Sequence, residues 1–292
     1  HPTIGRLPMP LRVLVWYVQE PPHNLTPDNA ITDEKSAETA LTGIYGEQIG
    51  YESYMSIGNH AMTAGILQRN DNPGVVVSIY YIENRLPELN LVGAAYTPFW
   101  DAFNTIINSS TKLLAVLEGM SDNLFTDGRK TTMMGEIRFL RGWYMFDLLR
   151  MFGPLPTQLD SKAIPYKETI SVSAPGMLTG NEVIEKVLTD LAEAESILKN
   201  WDPAVSEGML MAVNDDDHDN DGNTYRFRGL RLNYYAVVAL KARVYLWAGN
   251  KTEALKYAKM IIENPEAETL YPAVTRAAAT DYSNPDRSFS SE

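Results

Sequence analysis

The sequence contains no cysteine, which excludes disulfide bonds, zinc–thiolate sites, iron–sulfur clusters and cysteine nucleophiles. Positive charge is also scarce: 25 Lys and Arg stand against 37 Asp and Glu, so the net charge is −12. A nucleic-acid-binding protein needs a basic surface to displace counterions from phosphates, and this composition therefore argues against that class. No apolar run in the sequence reaches the ~20 residues that a membrane-spanning helix requires.

The remaining composition is that of a folded protein, with 45% hydrophobic and 21% charged residues. Residues 1–30 carry six prolines, too many for a helix interior. We predict an extended N-terminal arm over 1–30, with residues 13–18 attached to the body as a strand. A helical domain is expected to occupy residues 31–292.

Apolar residues recur at spacings of three and four through most of that domain, which indicates helices with one buried face. The first helix is expected to start at an N-cap formed by Thr32 or Asp33. Further helices are predicted at 100–119, 129–151, 180–199, 232–248 and 251–263. The last two are joined by Gly249-Asn250 and resemble a tetratricopeptide hairpin. The predicted fold class is all-α, with tetratricopeptide-like helical hairpins, long irregular loops and a short β segment.

The segment 69–98 interrupts this periodicity with turn signals and β-branched residues, and long loops of this kind are often functional. It combines aromatic rings with amide and guanidinium groups. These candidate ligand-binding residues are Tyr80, Tyr81, Asn84, Arg85, Asn90 and Tyr96. A ring can stack on the apolar face of a sugar while polar groups pair with its hydroxyls. The alternative is that these residues form a strand half buried against helices.

The run DHDNDG at 217–222 resembles the first half of an EF-hand calcium loop. Alternate aspartates converge on one centre, and the glycine permits the sharp turn, so Asp217, Asp219 and Asp221 are candidate calcium ligands. Position twelve of such a loop is Arg228 rather than glutamate. Calcium would therefore need another carboxylate. The alternative is a solvated acidic loop without metal.

Sequence motifs for catalysis are missing. There is no G-x-S-x-G, P-loop, G-x-G-x-x-G or H-E-x-x-H motif. A glycoside hydrolase needs two carboxylates at a defined separation, but acids such as Glu182, Glu185 and Glu193 fall on polar helix faces. We therefore predict a protein that is not an enzyme and requires no cofactor, with calcium as a candidate ligand.

The string GEIRFLRGWYMFDLLRMFGPLP at 135–156 resembles the hallmark helix of the SusD/RagB family of outer-membrane nutrient-binding lipoproteins. The resemblance is carried by Glu136, Arg138, Leu140, Arg141, Tyr144, Phe146, Leu148, Phe152, Gly153 and Pro156. Four further blocks, at 31–46, 100–119, 179–198 and 239–263, agree with that family in order and spacing. The chain is thereby identified as a member, and it corresponds to the N-terminal part of the family's sequences.

The resemblance implies a tetratricopeptide-like scaffold whose loops bind a glycan without catalysis. It implies a lipid-anchored, outward-facing outer-membrane protein that delivers its ligand to a SusC-like TonB-dependent transporter. The lipid-bearing cysteine of such proteins is not in this sequence. Some members are expected to place a stacking aromatic before the residue matching Trp100, which favours Tyr80 and Tyr96. The alternatives are a peptide-uptake member of the same family and a helical-repeat scaffold that binds another protein.

Overall fold

The computed structural model describes residues 31–49, 90–126, 128–170, 175–206 and 228–270. The predicted N-terminal arm with its strand at 13–18, and the apolar segment at 75–82, lie outside the described residues. Among the residues that are described, no helix combines the length and the apolar character needed to cross a membrane.

The described chain is mostly helical, as predicted. Its helices α1 to α8 are Glu34–Ile49, Asn90–Gly119, Arg129–Phe152, Gly180–Trp201, Pro203–Ser206, Tyr234–Trp247, Lys251–Ile262 and Pro265–Leu270. Short 3-10 helices occur at Asp122–Leu124 and Arg228–Leu230. Strands β1 (Lys162–Pro165) and β2 (Met177–Thr179) form an antiparallel pair.

Helix starts follow local capping chemistry. The Asp33 carboxylate accepts a hydrogen bond from the Ser36 N–H at 2.8 Å, so Asp33 rather than Thr32 caps α1. At α4, Thr179 and Glu182 form a reciprocal capping box, in which each side chain accepts from the other residue's N–H. Gly249 has φ +81°, a left-handed conformation that glycine adopts without strain, and it turns the chain between α6 and α7.

One helix start is predicted wrongly. Helix α2 begins at Asn90, ten residues before the predicted start, so residues 90–98 are helical rather than irregular. Pro98 lies inside this helix, although an interior proline removes one N–H donor and crowds the carbonyl four residues earlier. Between α3 and α4, where no helix is predicted, the chain forms β1 and β2. Strands of four and three residues are too short to show a periodic pattern.

The first four long helices alternate in direction. Tyr45, late in α1, bonds Glu136 in α3, and Glu34, at the start of α1, pairs with Arg129 at the start of α3, so these two helices run parallel. Trp100 of α2 contacts Phe152 at the end of α3, with ring centroids 5.1 Å apart. Helix α2 is therefore antiparallel to α3.

Close packing through glycine joins α3 to α4. A Cβ at Gly135 would lie 3.0 Å from Leu198, and one at Gly142 would lie 3.2 Å from Leu191. The two helices are thus antiparallel and cross at short range. As the apolar spacing of three and four residues predicts, α4 buries one face, formed by Val183, Ile184, Val187, Leu191, Ala194 and Leu198.

The last long helices continue the alternation. The Lys241 ammonium of α6 bonds Glu195 of α4 at 2.5 Å, and the Tyr234 N–H bonds Asp202 just after α4 at 2.8 Å. Tyr245 of α6 stacks on Tyr257 of α7, with centroids 5.5 Å apart and planes 17° from parallel. The predicted hairpin of α6 and α7 is confirmed.

This alternation defines two ends of the helical stack. We call the end that contains Phe152, Gly180 and Gly249 the upper end, and the end that contains Arg129 and Tyr234 the lower end. Helices α3 and α6 finish toward the upper end, and α2, α4 and α7 begin there. Each connecting segment can therefore be assigned to one end from the helices that flank it.

Candidate functional site

The candidate ligand residues are only partly described. Tyr80, Tyr81, Asn84 and Arg85 lie outside the described residues. The backbone of Asn90 and Tyr96 belongs to the first seven residues of α2. At a rise of 1.5 Å per residue, these two positions are roughly 9 Å apart along the helix axis.

The start of α2 lies at the upper end. Trp100 meets Phe152, the last residue of α3, and Phe103 packs on Tyr144 with centroids 5.0 Å apart. Helix α2 continues for ten residues before Trp100, which is roughly 15 Å of helix. The backbone positions of Asn90 and Tyr96 therefore precede, along the helix, the residues Trp100 and Phe103 that contact α3.

The candidate calcium ligands Asp217, Asp219 and Asp221 also lie outside the described residues. The residues that flank their segment are described, and they are at the lower end. Asp202 follows α4, and the Arg228 guanidinium donates to its carboxylate at 2.7 Å. The described residues next to the two predicted sites, the start of α2 and the pair Asp202 and Arg228, therefore lie toward opposite ends of α3.

Arg228 is buried and ion-paired in the protein core. Its side chain is fully buried and pairs with both Glu136 and Asp202, and it also donates to the Leu232 carbonyl at 3.1 Å. Burial opposes the charge of the guanidinium, but the two neighbouring carboxylates outweigh it and raise the pKa of Arg228. Arg228, at the twelfth position of the EF-hand-like run, therefore forms ion pairs in the core and is not a calcium ligand.

Glu136 links this ion pair to the first helix. The Tyr45 hydroxyl donates to Glu136 at 2.6 Å and accepts from the Leu232 N–H at 3.2 Å. Arg231 approaches the same carboxylate at 3.9 Å. A buried carboxylate is stable only when it is paired and hydrogen-bonded, and Glu136 meets that condition. The network ties α1, α3 and the approach to α6 together.

A second buried network joins α3 to α4 in the middle of the stack. Arg141 donates to both oxygens of Asp190, at 2.7 and 2.5 Å, and the Tyr166 hydroxyl donates to Asp190 at 2.6 Å. Bidentate pairing of this kind gives both strength and a defined geometry. Tyr166 directly follows β1, so the same carboxylate also positions the small sheet at the upper end.

The two tyrosines of these networks predict a loss of stability at high pH. Burial, and then the adjacent negative charge of Glu136 or Asp190, raises the pKa of Tyr45 and of Tyr166 well above 10.0. Both tyrosines keep their proton in the folded state when an unfolded tyrosine has lost it. Their contribution is therefore complete below about pH 10 and is lost as the pH rises through the raised values.

We expect the free energy of unfolding to fall above pH 10 by up to about 1.4 kcal/mol per pH unit for each tyrosine. Denaturant unfolding at a series of pH values should show a shallower decline in the double variant Tyr45→Phe/Tyr166→Phe. Each single variant should remove about half of the difference. Equal slopes in wild type and double variant would contradict this assignment.

A shallow depression of about 490 Å³ lies on the outer face of α4. Its lining residues all come from that one helix: Asn181, Ile184, Glu185, Leu188, Thr189, Ala192 and Glu193. No second element supplies an opposing wall among the described residues that line it. The depression therefore lacks the enclosure that ligand pockets provide. In the same described ranges, no group of three metal-ligating His, Asp or Glu side chains occurs.

The sequence offered partial signals for the buried networks. Glu136 and Arg141 interrupt the apolar face of α3, and buried charges in such positions require partners. Their partners are distant in sequence: Arg228 is 92 residues from Glu136, and Asp190 is 49 residues from Arg141. The pairing itself became visible only in the structure.

Residues 25–206 match the family SusD-like_3, described as starch-binding and associating with the outer membrane. The match covers well over half of the chain and confirms the resemblance drawn from the sequence. No curated protein matches the chain.

Solved structures of this superfamily are also similar. A SusD-like carbohydrate-binding protein from Bacteroides vulgatus ATCC 8482 is 16% identical, with a TM-score of 0.56 over 80% of this chain and 45% of that one. A SusD superfamily protein from Bacteroides thetaiotaomicron VPI-5482 is 23% identical, with a TM-score of 0.43 over 56% and 31%. The first similarity supports the helical fold. This chain spans less than half the length of either protein.

Proposed function

The chain belongs to the SusD-like family, whose profile it matches over residues 25–206, and from this membership we propose that it binds a glycan at the cell surface without chemically altering it. The family match is the observation that carries the proposal. The family's description names starch binding and association with the outer membrane. Binding without catalysis accords with the lack of catalytic motifs in the sequence.

The fold suggests how binding would work. The ion-paired stack forms a rigid frame, and α2 begins toward its upper end. We assign ligand binding to the segment that leads into α2, through Tyr80, Tyr81, Asn84, Arg85, Asn90 and Tyr96. Aromatic rings would stack on the C–H faces of sugar rings, and the polar side chains would pair with hydroxyl groups. A frame that is already rigid reduces the entropy lost on binding.

We also propose that the protein is lipid-anchored and faces outward from the outer membrane. There it would hand its oligosaccharide to a SusC-like TonB-dependent transporter. The family description supports the membrane association, and the transporter is inferred from the family resemblance. Copurification of the full-length protein with such a transporter from membranes would support this arrangement. Recovery of the protein alone under mild detergent would count against it.

Calorimetry over a panel of polysaccharides tests glycan binding. We expect at least one glycan to bind, and Tyr80→Ala and Tyr96→Ala each to weaken it roughly tenfold, since stacking and the buried ring area contribute about 1–2 kcal/mol. Trp201→Ala is the matched control, because Trp201 is an aromatic residue 50% exposed at the lower end. Binding of peptides instead of glycans would favour the peptide-uptake alternative. Binding of a protein partner alone would favour the scaffold alternative.

For the acidic segment we propose a bound calcium ion held by Asp217, Asp219 and Asp221. Arg228 is engaged in the core, so a further carboxylate such as Asp215 or Asp216 would complete the site. The ion would reduce the repulsion among these carboxylates. Its role would be structural, because the segment is attached to the lower end of the stack.

A bound ion must stabilise the folded state. At a free calcium concentration 100-fold above the dissociation constant, the gain is about 2.7 kcal/mol, which corresponds to roughly 5 °C in melting temperature. We expect the triple variant Asp217→Asn/Asp219→Asn/Asp221→Asn to lose this response. Asp122→Asn is the control, since the Asp122 side chain is 90% exposed elsewhere at the lower end. An identical melting temperature in calcium and in chelator would refute the proposal.

A further inference from the structure

Two arginines converge on one carboxylate at the upper end. Arg150 of α3 donates to Asp147 Oδ1 at 2.8 Å, and Arg243 of α6 donates to the same oxygen at 3.4 Å. The Asp147 side chain is only 1% exposed, whereas those of Arg150 and Arg243 are 36% and 44% exposed. We call Arg150 and Arg243 the arginine pair. A buried anion thus holds two cations whose outer faces reach solvent.

Aromatic residues pack against the arginine pair. The guanidinium carbons of both arginines lie 5.7 Å from the centroid of the buried Phe146 ring, within cation–π range. Trp247 contacts Phe146 edge-to-face at 5.8 Å and is only partly buried. Arg243 and Trp247 are four residues apart on α6 and therefore share one face of that helix. An indole ring accordingly borders the arginine pair.

The local charge is unbalanced. The cluster carries two positive charges and one negative charge, in a chain whose net charge is −12. Each guanidinium has five N–H donors, and within the described part of the chain each donates one hydrogen bond to Asp147. The two donating nitrogens can be no more than about 6 Å apart, since they bond the same oxygen. A second anion between them would relieve their mutual repulsion and use the remaining donors.

A structural role accounts for Arg150 but not for Arg243. Arg150 lies in the last turn of α3, where a cation stabilises the helix end. Arg243 lies four residues before the end of α6, outside the reach of that effect. Asp147 already has a partner in Arg150 at 2.8 Å, so Arg243 is not needed to neutralise it.

We propose that the arginine pair is a binding subsite for the carboxylate of an acidic sugar residue, a uronate within the glycan. This inference rests on the proposed glycan-binding function and specifies its ligand class. Guanidinium groups recognise carboxylates through paired N–H donors. Trp247 supplies an adjacent ring for the apolar face of the sugar. The cluster lies at the same end as the start of α2, since Trp100 contacts Phe152, two residues beyond Arg150.

The test uses the whole chain and two versions of one polymer. Oligogalacturonate carries the carboxylate, and the fully methyl-esterified form of the same oligomer does not. We expect calorimetry to show binding of the acid form, weakened by rising salt. Arg243→Gln should weaken it roughly tenfold to a hundredfold, as expected for loss of a hydrogen bond to a charged group. Lys259→Gln is the matched control, because Lys259 is an exposed, ion-paired cation on α7.

A tenfold loss in Arg243→Gln, partial recovery in Arg243→Lys and no change in Lys259→Gln would support the inference. Equal affinity of wild type for acid and esterified oligomers, or equal weakening in the control variant, would overturn it. Equal binding of polyglutamate would overturn the assignment to a sugar. Binding of neutral glycans with no preference for acidic ones would overturn this subsite and leave the proposed function standing. Failure to bind any glycan, acidic or neutral, would overturn both.

Discussion

Replacing Arg228 with methionine is expected to destabilise the protein by about 3–5 kcal/mol. The side chain of Arg228 and those of its partners Glu136 and Asp202 are all fully buried. Removal of the guanidinium takes the directly bonded counter-charge from two carboxylates in the core, and Glu136 keeps only the more distant Arg231 at 3.9 Å. Desolvation of an unpaired charge costs far more than the lost contact alone. The effect is large because the network also joins α1, α3 and the start of α6.

Urea unfolding followed by circular dichroism measures this change. The double variant Arg228→Met/Glu136→Gln should recover part of the loss, because one of the uncompensated charges is removed with its partner. Lys259→Met serves as control: its ammonium is exposed and pairs with Glu263 on the surface, where a salt bridge contributes at most about 1 kcal/mol. An equal, small effect of Arg228→Met and the control would show that the buried network does not hold the lower end together.

The Asp190→Ala variant is expected to lose a similar amount, about 3–5 kcal/mol, through the second network. Asp190 accepts two hydrogen bonds from the buried Arg141 and one from the Tyr166 hydroxyl. Its removal leaves a buried cation and a buried hydroxyl without their partner. The contact between α3 and α4 weakens as a result, and so does the attachment of the segment after β1.

Two further variants separate charge from position. Asp190→Asn keeps an oxygen acceptor and the side-chain shape, so we expect it to lose less than Asp190→Ala. Glu185→Ala changes an exposed carboxylate on the same helix and should alter stability by less than 0.5 kcal/mol, as is usual for such surface sites. Denaturation midpoints of all three variants test this order. Asp190→Ala within the range of Glu185→Ala would contradict the role assigned to Asp190.

Helix positions could be read from the sequence because their signals are local. The stripe from Val183 to Leu198 repeats at the helical period, and every member of it is buried in the structure. The cap at Asp33 and the turn at Gly249 are also chemical properties of a few adjacent residues. The start of α2 was missed because Pro98 is usually a helix breaker. Whether a proline ends a helix depends on the surrounding structure.

For the candidate sites too, the residue types could be read from the sequence and the positions could not. Residue types alone suggested sugar stacking around Tyr80 and Tyr96 and calcium binding at Asp217, and both remain proposals. The sequence did not indicate that the described residues flanking these segments lie toward opposite ends of the stack. That assignment comes from the directions of α2, α3 and α4, which are set by contacts between distant parts of the chain.

The helical class, the helix order, the family and the acidic, cysteine-free character of the chain all follow from the order of its amino acids. Periodicity, capping and composition act over a few residues, so they can be recognised without a fold. The pairing of Arg228 with Glu136, and the sharing of Asp147 by Arg150 and Arg243, arise only when the helices pack together. Electrostatic energy depends on distance in space and on exclusion of water. Neither quantity is defined until the helices have packed.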